Sequence, residues 1–185
     1  MNLSERASIA HVPVVIPSLE PKRALLQYIA SLKALGFTKI FLIDDGSGPG
    51  FSQIFDEARS EYGCEVITHP VNLGKGAALK SAFREVSKIR DLAGVVTADS
   101  DGQHSAPDVL KVAEALIDGA KTKQQSLILG TRSLNTQGVP WKSRLGNTLT
   151  SALVSVLFGK YISDTQTGLR GIPASMLEDQ QKVRG

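Results

Sequence analysis

A single cysteine, Cys64, excludes an internal disulfide and fits a reducing compartment. The opening residues, MNLSERASIA, lack the basic-then-apolar pattern of a secretory signal. Nor is any apolar run long enough for a bilayer, which takes about 20 residues. The longest, Leu149 to Phe158, is interrupted by Thr150, Ser151 and Ser155. An excess of one charge is missing too. Lysine and arginine number 21 against 18 aspartates and glutamates, a formal net charge of +3. That balance excludes a dedicated nucleic-acid binder, which would carry a concentrated basic stripe. There are no repeats and no low-complexity tracts. What is present is ordinary globular composition, 42% apolar and 21% charged, which argues against disorder. At about 150 residues per domain, the 185 residues read as one domain over 1–185. Such a chain buries roughly 70% of its unfolded surface and needs no metal or disulfide staple to fold. A soluble, cytoplasmic protein is the expectation.

Along the chain a rhythm of strand, turn and helix recurs. Val12 to Ile16 is a short apolar run ended by Pro17. Arg23 to Leu35 has Leu25, Leu26, Ile29, Leu32 and Leu35 at helical spacing. Lys39 to Ile43 reads as a second buried strand, Gly46 to Gly50 as a turn, and Phe51 to Glu61 as a helix. Glu65 to Thr68 is a third strand. Lys75 to Ile89 is helical, with Leu79, Phe83, Val86 and Ile89 on one face. Ala93 to Ala98 makes a fourth strand, and Pro107 to Ile117 a helix started by Ser105 and Pro107. Ser126 to Leu129 is the fifth strand. Continuous apolar strands alternating with helices imply an α/β fold, a mostly parallel sheet covered on both faces. Beyond Gly130 the rhythm changes: Trp141 to Phe158 reads as one long helix, and Tyr161 to Ile172 as short extended pieces.

Ligands in open α/β sheets bind beyond the carboxyl ends of the strands. The expected ends carry Pro17 to Glu20, Asp44 to Ser47, Asn72 to Gly76, Asp99 to His104 and Gly130 to Arg132, so polar clusters gather at one edge. In an extended segment Asp99 and Asp101 face one side, with Gln103 adding a neutral oxygen if the chain stays extended past Gly102. Such a set suits a hard cation that also binds phosphates; a solvated acidic turn before the helix at Pro107 is the alternative. Asp44 and Asp45 suit either a turn or hydrogen bonds from a nucleoside. Lys75, opening a helix between Gly74 and Gly76, suits phosphate, although neither a Walker loop nor a dinucleotide fingerprint is present. Arg132 suits a phosphate or sugar oxygen, or a surface ion pair. Asp164 is a candidate general base and Arg170 a candidate anion clamp. His11, His69 and His104 lack metal-ligand spacing; structural roles are expected for the first two, and Cys64 is expected to pack.

With these residues in place, the chain resembles family 2 glycosyltransferases of the GT-A fold, in the branch of dolichyl-phosphate mannosyltransferase and bacterial polyprenyl-phosphate glycosyltransferases. The matching stretches are VVIPSLEP (Val14 to Pro21), FLIDDGS (Phe41 to Ser47), VNLGKGAALKSAF (Val71 to Phe83), TADSDGQH (Thr97 to His104), LGTR (Leu129 to Arg132) and DTQTGLRG (Asp164 to Gly171). The resemblance implies that Pro17 and Asp45 hold the nucleoside of a UDP- or GDP-sugar, with Glu20, Asp44 and Lys75 in the same binding set. It implies Mg²⁺ or Mn²⁺ on Asp99, Asp101 and Gln103, and phosphate contacts from Arg132 and Arg170. Where the family often has Pro-x-Tyr-Asn-Glu, this chain has Leu19 and Pro21, with Glu20 one residue early. Relatives continue beyond the place where this chain stops at Gly185, which implies a C-terminally truncated catalytic domain or an unusually short member.

The implied reaction is sugar transfer with inversion, its main barrier being the charge that appears on the departing diphosphate. With a polyprenyl-phosphate acceptor, already anionic, Asp164 would position; with a sugar hydroxyl it would act as base. Leu145, Leu149, Leu153, Val156 and Leu157 share a helical face after Lys142 and Arg144, which suits a core helix or a surface lying on an anionic membrane, at its cytoplasmic face. Competing functions are a sugar-nucleotide pyrophosphorylase, an Asp-x-Asp-Gly phosphatase and a non-catalytic nucleotide-binding module. The first lacks its Gly-rich opening loop, and the second would place its motif after the first strand.

Overall fold

The computed structural model describes residues 8–102, 104–122, 126–130 and 168–177. Its strands are β1 (Val14–Ser18), β2 (Ile40–Asp44), β3 (Glu65–Thr68), β4 (Gly94–Thr97), β5 (Ile128–Leu129) and β6 (Arg170–Pro173). Its helices are α1 (Ala24–Ala34), α2 (Ser52–Tyr62), α3 (Lys75–Val86) and α4 (Ala106–Thr122). The strands form one sheet in the order β3-β2-β1-β4-β6-β5. β1 is parallel to β2 and β4, and β2 to β3, while β6 runs antiparallel to both β4 and β5.

Every residue of β1, β2 and β4 is buried, as continuous apolar runs between two helical layers require. The strand period divides them between two cores. Val14 and Ile16 of β1, with Ile40 and Leu42 of β2, pack against Leu25 and Ile29 of α1, Phe55 of α2 and Val109 of α4. Val15, Phe41 and Ile43 face the other way, onto Ala78, Ala82 and Phe83 of α3. Two alanines one turn apart let α3 lie close to the sheet. The first two crossovers build outward from β1 to β3. The third, through α3, returns over the opposite face and sets β4 on the other side of β1. β1 is therefore where the strand order reverses.

Four elements depart from the sequence expectation. β1 does not end at Ile16 but runs through Pro17 to Ser18. The ladder explains this: Val14 N–H bonds to Lys39 and the Ser18 carbonyl to Asp45, while the carbonyls of Pro13 and Val15 accept from Val96 and Ala98. Odd-numbered residues thus bond toward β4, whose pairing with β1 stops at Val15–Thr97, so Pro17 lacks an N–H only where no partner remains. β5 is two residues long rather than four, and its partner is β6, contributed by a segment about 40 residues further on. α3 stops at Val86, short of Ile89, and α4 runs past Ile117 to Thr122. Ser105 starts α4 as expected, its hydroxyl bonding the Asp108 carboxylate at 2.6 Å and accepting the Asp108 N–H at 3.4 Å. The expected helix from Trp141 to Phe158 lies outside the described residues, as do residues 161–167 of the expected extended pieces.

A Cβ on Gly94 would run into the backbone carbonyl of Ile172 across the β4–β6 pair. Gly94→Ala is expected to lower stability by about 1–3 kcal/mol, since neither backbone can yield without opening the sheet. Urea unfolding checks this; an unchanged midpoint would show that the two strands separate freely there.

Candidate active site

Beyond Val15 and Thr97, β1 and β4 part, and a cleft of about 470 Å³ opens at their carboxyl ends. That volume suits a ligand of nucleotide size. β1 supplies Pro17 and Ser18 to its wall, the turn after β2 supplies Asp45, the loop before α3 supplies Asn72, Gly74 and Lys75, and β4 runs into Asp99, Ser100 and Asp101. Because β6 is antiparallel, its beginning reaches this same edge: Arg170 stands opposite Thr97, and Thr97 Oγ1 donates to the Gly168 carbonyl at 2.8 Å.

Asp45 is the hub of the β2 side. Its Oδ1 accepts the Leu73 N–H at 3.0 Å and a His69 ring N–H, Nδ1, at 2.7 Å. A carboxylate can only accept, so the proton belongs on Nδ1, leaving Nε2 to accept the Ser81 hydroxyl at 2.9 Å. Burial pushes the Asp45 carboxyl up, but the hydrogen bonds from His69 and from the Leu73 and Gly74 amides outweigh it and hold it below the usual carboxylate range. Neighbouring residues of the same turn are equally committed. Asp44 Oδ1 accepts the Ser47 N–H at 2.9 Å, and Ser47 Oγ accepts the Glu20 N–H at 2.9 Å. Gly46, at φ 79°, lies so close to the backbone of Val71 and Asn72 that a Cβ would not fit.

On the β4 side, the Lys75 ammonium contacts Asp99 Oδ1 at 2.5 Å. The Asp99 carboxylate also lies against Gly168, where any Cβ would overlap it. Two buried hydroxyls among the described residues, those of Ser18 and Tyr28, have no hydrogen-bond partner. Ser18, 3% exposed, forms part of the cleft wall. Burial pushes the Tyr28 hydroxyl well above its ordinary range, and the charges of Asp99, Asp101 and Asp108 push it further.

The structure therefore brings Pro17, Asp45, Lys75, Asp99 and Asp101 to one cleft. It places Arg170 at the same sheet edge. Two expected nucleotide contacts stand elsewhere. Asp44 faces a neighbouring depression, one oxygen spent on closing its own turn, and Glu20 is exposed in a left-handed conformation, φ 49°. The reason given for pairing Asp99 with Asp101 also fails. β4 ends at Thr97, and the chain turns over Ser100 to Gly102, the last at φ 74°, so the segment is not extended. Both carboxylates reach the cleft because the turn wraps its rim. Gln103, Arg132 and Asp164 lie outside the described residues.

Among the described residues no three His, Cys, Asp or Glu side chains gather as a metal cluster. On the β4 side Asp99 and Asp101 present carboxylate oxygens, and a magnesium-class ion that keeps waters and takes substrate phosphates asks for no more than one or two carboxylates. The residues fit such an ion. His69 has the structural role expected of it, but its link to Asp45 and Ser81 joins residues 24 and 12 positions away and leaves no local signal. Gly168 and Ser18 were within motifs already marked as polar; what marks them individually is a close approach and an unpaired hydroxyl, both visible only in three dimensions. Cys64 is buried, its thiol pushed up by burial to about 11, as a packing residue should be.

The family described as glycosyl transferase family 2 matches residues 14–155. The chain is 31% identical to the uncharacterized protein MJ1222 of Methanocaldococcus jannaschii, over 93% of this chain and 67% of that protein. It is 26% identical to the UDP-N-acetylglucosamine–dolichyl-phosphate N-acetylglucosaminyltransferase of Methanococcus voltae, over 89% of this chain and 70% of that one. In fold it is similar to S. aureus TarS 1-349, solved in complex with UDP, with a TM-score of 0.51 and 19% identity over 91% of this chain and 48% of the other.

A depressed carboxyl stabilises the fold above its unfolded value, about 3.9, and that contribution is lost as pH falls through the folded value. Asp45→Asn is therefore expected to cost about 1–3 kcal/mol near neutral pH and progressively less below pH 4. Urea midpoints at pH 7 and pH 3 check this; a deficit of equal size at both would assign the loss to shape rather than charge.

Proposed function

The chain belongs to glycosyl transferase family 2, and on that premise we propose that it moves a sugar from a nucleoside-diphosphate donor to a polyprenyl phosphate, in the cleft between β1 and β4. The observation that carries this reading is the convergence of Asp99, Asp101 and Lys75 on a cleft of nucleotide size at the point where the strand order reverses. The names of the Methanococcus voltae relative and of the TarS complex favour uridine as the base and, from the former, a lipid phosphate as acceptor.

Asp99 and Asp101 would hold a divalent cation, Mg²⁺ or Mn²⁺, which when bound supplies Lewis-acid neutralisation of the charge growing on the departing diphosphate. Gly168, lacking a side chain, leaves the space that the Asp99 carboxylate occupies. Lys75 and the first amides of α3, which have no helical acceptors, offer fixed positive charge for phosphate oxygens. Ser18 forms part of the cleft wall, and its buried hydroxyl has no hydrogen-bond partner among the described residues. Asp45, whose Oδ1 is occupied by His69 and Leu73, shapes the nucleoside end chiefly by holding residues 70–74 in place. Arg170, and Arg132 outside the described residues, would contact phosphate. A lipid phosphate attacks with an oxygen already anionic, so no base is required, and Asp164 would position the acceptor. No described helix is long and apolar enough to cross a membrane.

Transfer from UDP-N-acetylglucosamine to a polyprenyl phosphate, followed by mass spectrometry with and without Mn²⁺, tests the proposal. Asp99→Asn should slow it by about 100- to 1,000-fold. Gly168→Ala, which displaces the same carboxylate without removing it, should weaken Mn²⁺-dependent UDP binding in calorimetry. UDP binding indifferent to Mn²⁺, with no turnover, would favour a non-catalytic nucleotide-binding module instead.

A further inference from the structure

Lysine is an odd opening residue for a helix. The amino end carries the positive pole of the helix dipole, where a cation is disfavoured. α3 has no acidic residue in its first turn and no side-chain cap, so nothing local compensates for Lys75. What compensates is Asp99, across the cleft. The two partners differ in freedom. The Asp99 carboxylate is backed by Gly168 and is mostly enclosed, with 23% of its side chain exposed, whereas the Lys75 side chain is 53% exposed on a flexible stem. Any divalent cation taking Asp99 meets a carboxylate with an ammonium already on one of its two oxygens, and the two positive charges repel each other.

We infer that Lys75 is a displaceable counter-ion of Asp99, and that its transfer from this carboxylate to the donor's diphosphate couples cation binding to nucleotide binding. The inference rests on the reading of Asp99 as a cation ligand. Without nucleotide, a cation on Asp99 pushes Lys75 back toward a helix amino end that offers it no acidic partner, which lowers affinity. With nucleotide, the expelled ammonium gains phosphate oxygens at that same end, so each ligand tightens the other by a common factor. Lys75 would thus do more than contact phosphate: it would disfavour loading of the bare protein with metal and favour loading of the pair.

The test is titration of the whole 185-residue chain with Mn²⁺, the free ion followed by electron paramagnetic resonance, with and without UDP. Lys75→Met should bind Mn²⁺ without UDP about 10-fold more tightly than the wild type, and the factor by which UDP tightens Mn²⁺ binding should fall correspondingly. Lys75→Arg, which keeps the charge, should retain the wild-type pattern, and Lys75→Gln should repeat the methionine result if the latter folds poorly. Equal or weaker Mn²⁺ binding in the neutral variants would overturn the inference while leaving Asp99 as a cation ligand. Absence of Mn²⁺ binding from every variant and the wild type, with and without UDP, would overturn both.

Discussion

Strand polarity is the constraint from which the chemistry follows. β1 keeps its pairing with β2 as far as Ser18 but loses β4 after Val15, so the sheet splits at its carboxyl edge. The halves bring different chemistry to the gap. From the β2–β3 half come Asp45 and the loop that ends in Lys75; from the β4–β6 half come the acidic turn and Gly168. Pro17 belongs at the split for a backbone reason, because it can sit in a central strand only where the ladder on one side has already ended. A residue with an N–H there would face the cleft with an unpaired donor.

The four residues after the β2 core act as a scaffold before they act on any ligand. Asp44 closes the turn, Asp45 ties down the loop beyond β3, Gly46 lets that loop pass close, and Ser47 holds the chain leaving β1. Through these contacts the ends of three strands set the start of α3. The position of Lys75 is therefore fixed from a buried carboxylate some distance behind it, and the His69–Ser81 link locks α3 itself into the same arrangement. A buried aspartate stays charged here because it accepts several N–H groups, which stabilise the anion more than burial destabilises it.

The expectations that were legible in the sequence were those with local causes. Apolar runs and helical periodicity locate the first four strands and their crossovers, because each is written within a dozen residues. Ser105 and Asp108 announce the start of α4 for the same reason. The insertion of β6 between β4 and β5 is not legible, since it depends on pairings across about 40 residues to β5 and more than 70 to β4. Asp99 and Asp101 both line the cleft, though not by alternation along a strand: that pattern needs an extended chain, and Gly102 takes a left-handed turn there instead. Asp44 looks like a ligand contact in a motif because sequence displays polarity without showing that a hydrogen bond from Ser47 already engages it; the exposed, left-handed placement of Glu20 is equally invisible there.

The electrostatic state of the cleft bears on how these parts work together. A net charge of +3 over the chain says little about a site where Asp99 and Asp101 stand near one ammonium. Tyr28, buried behind that site, responds to the local field: its hydroxyl is pushed up by burial first and then by Asp99, Asp101 and Asp108. Among the described residues lining the cleft, one ammonium stands beside the two carboxylates of the acidic turn, an imbalance that a doubly charged cation would reduce. A permanent second lysine would remove it too, but would also compete for Asp99 with no diphosphate to draw it away. Pairing with Lys75 keeps Asp99 from standing uncompensated in the cleft, and on the proposed reading it leaves that carboxylate open to a cation that arrives together with phosphate.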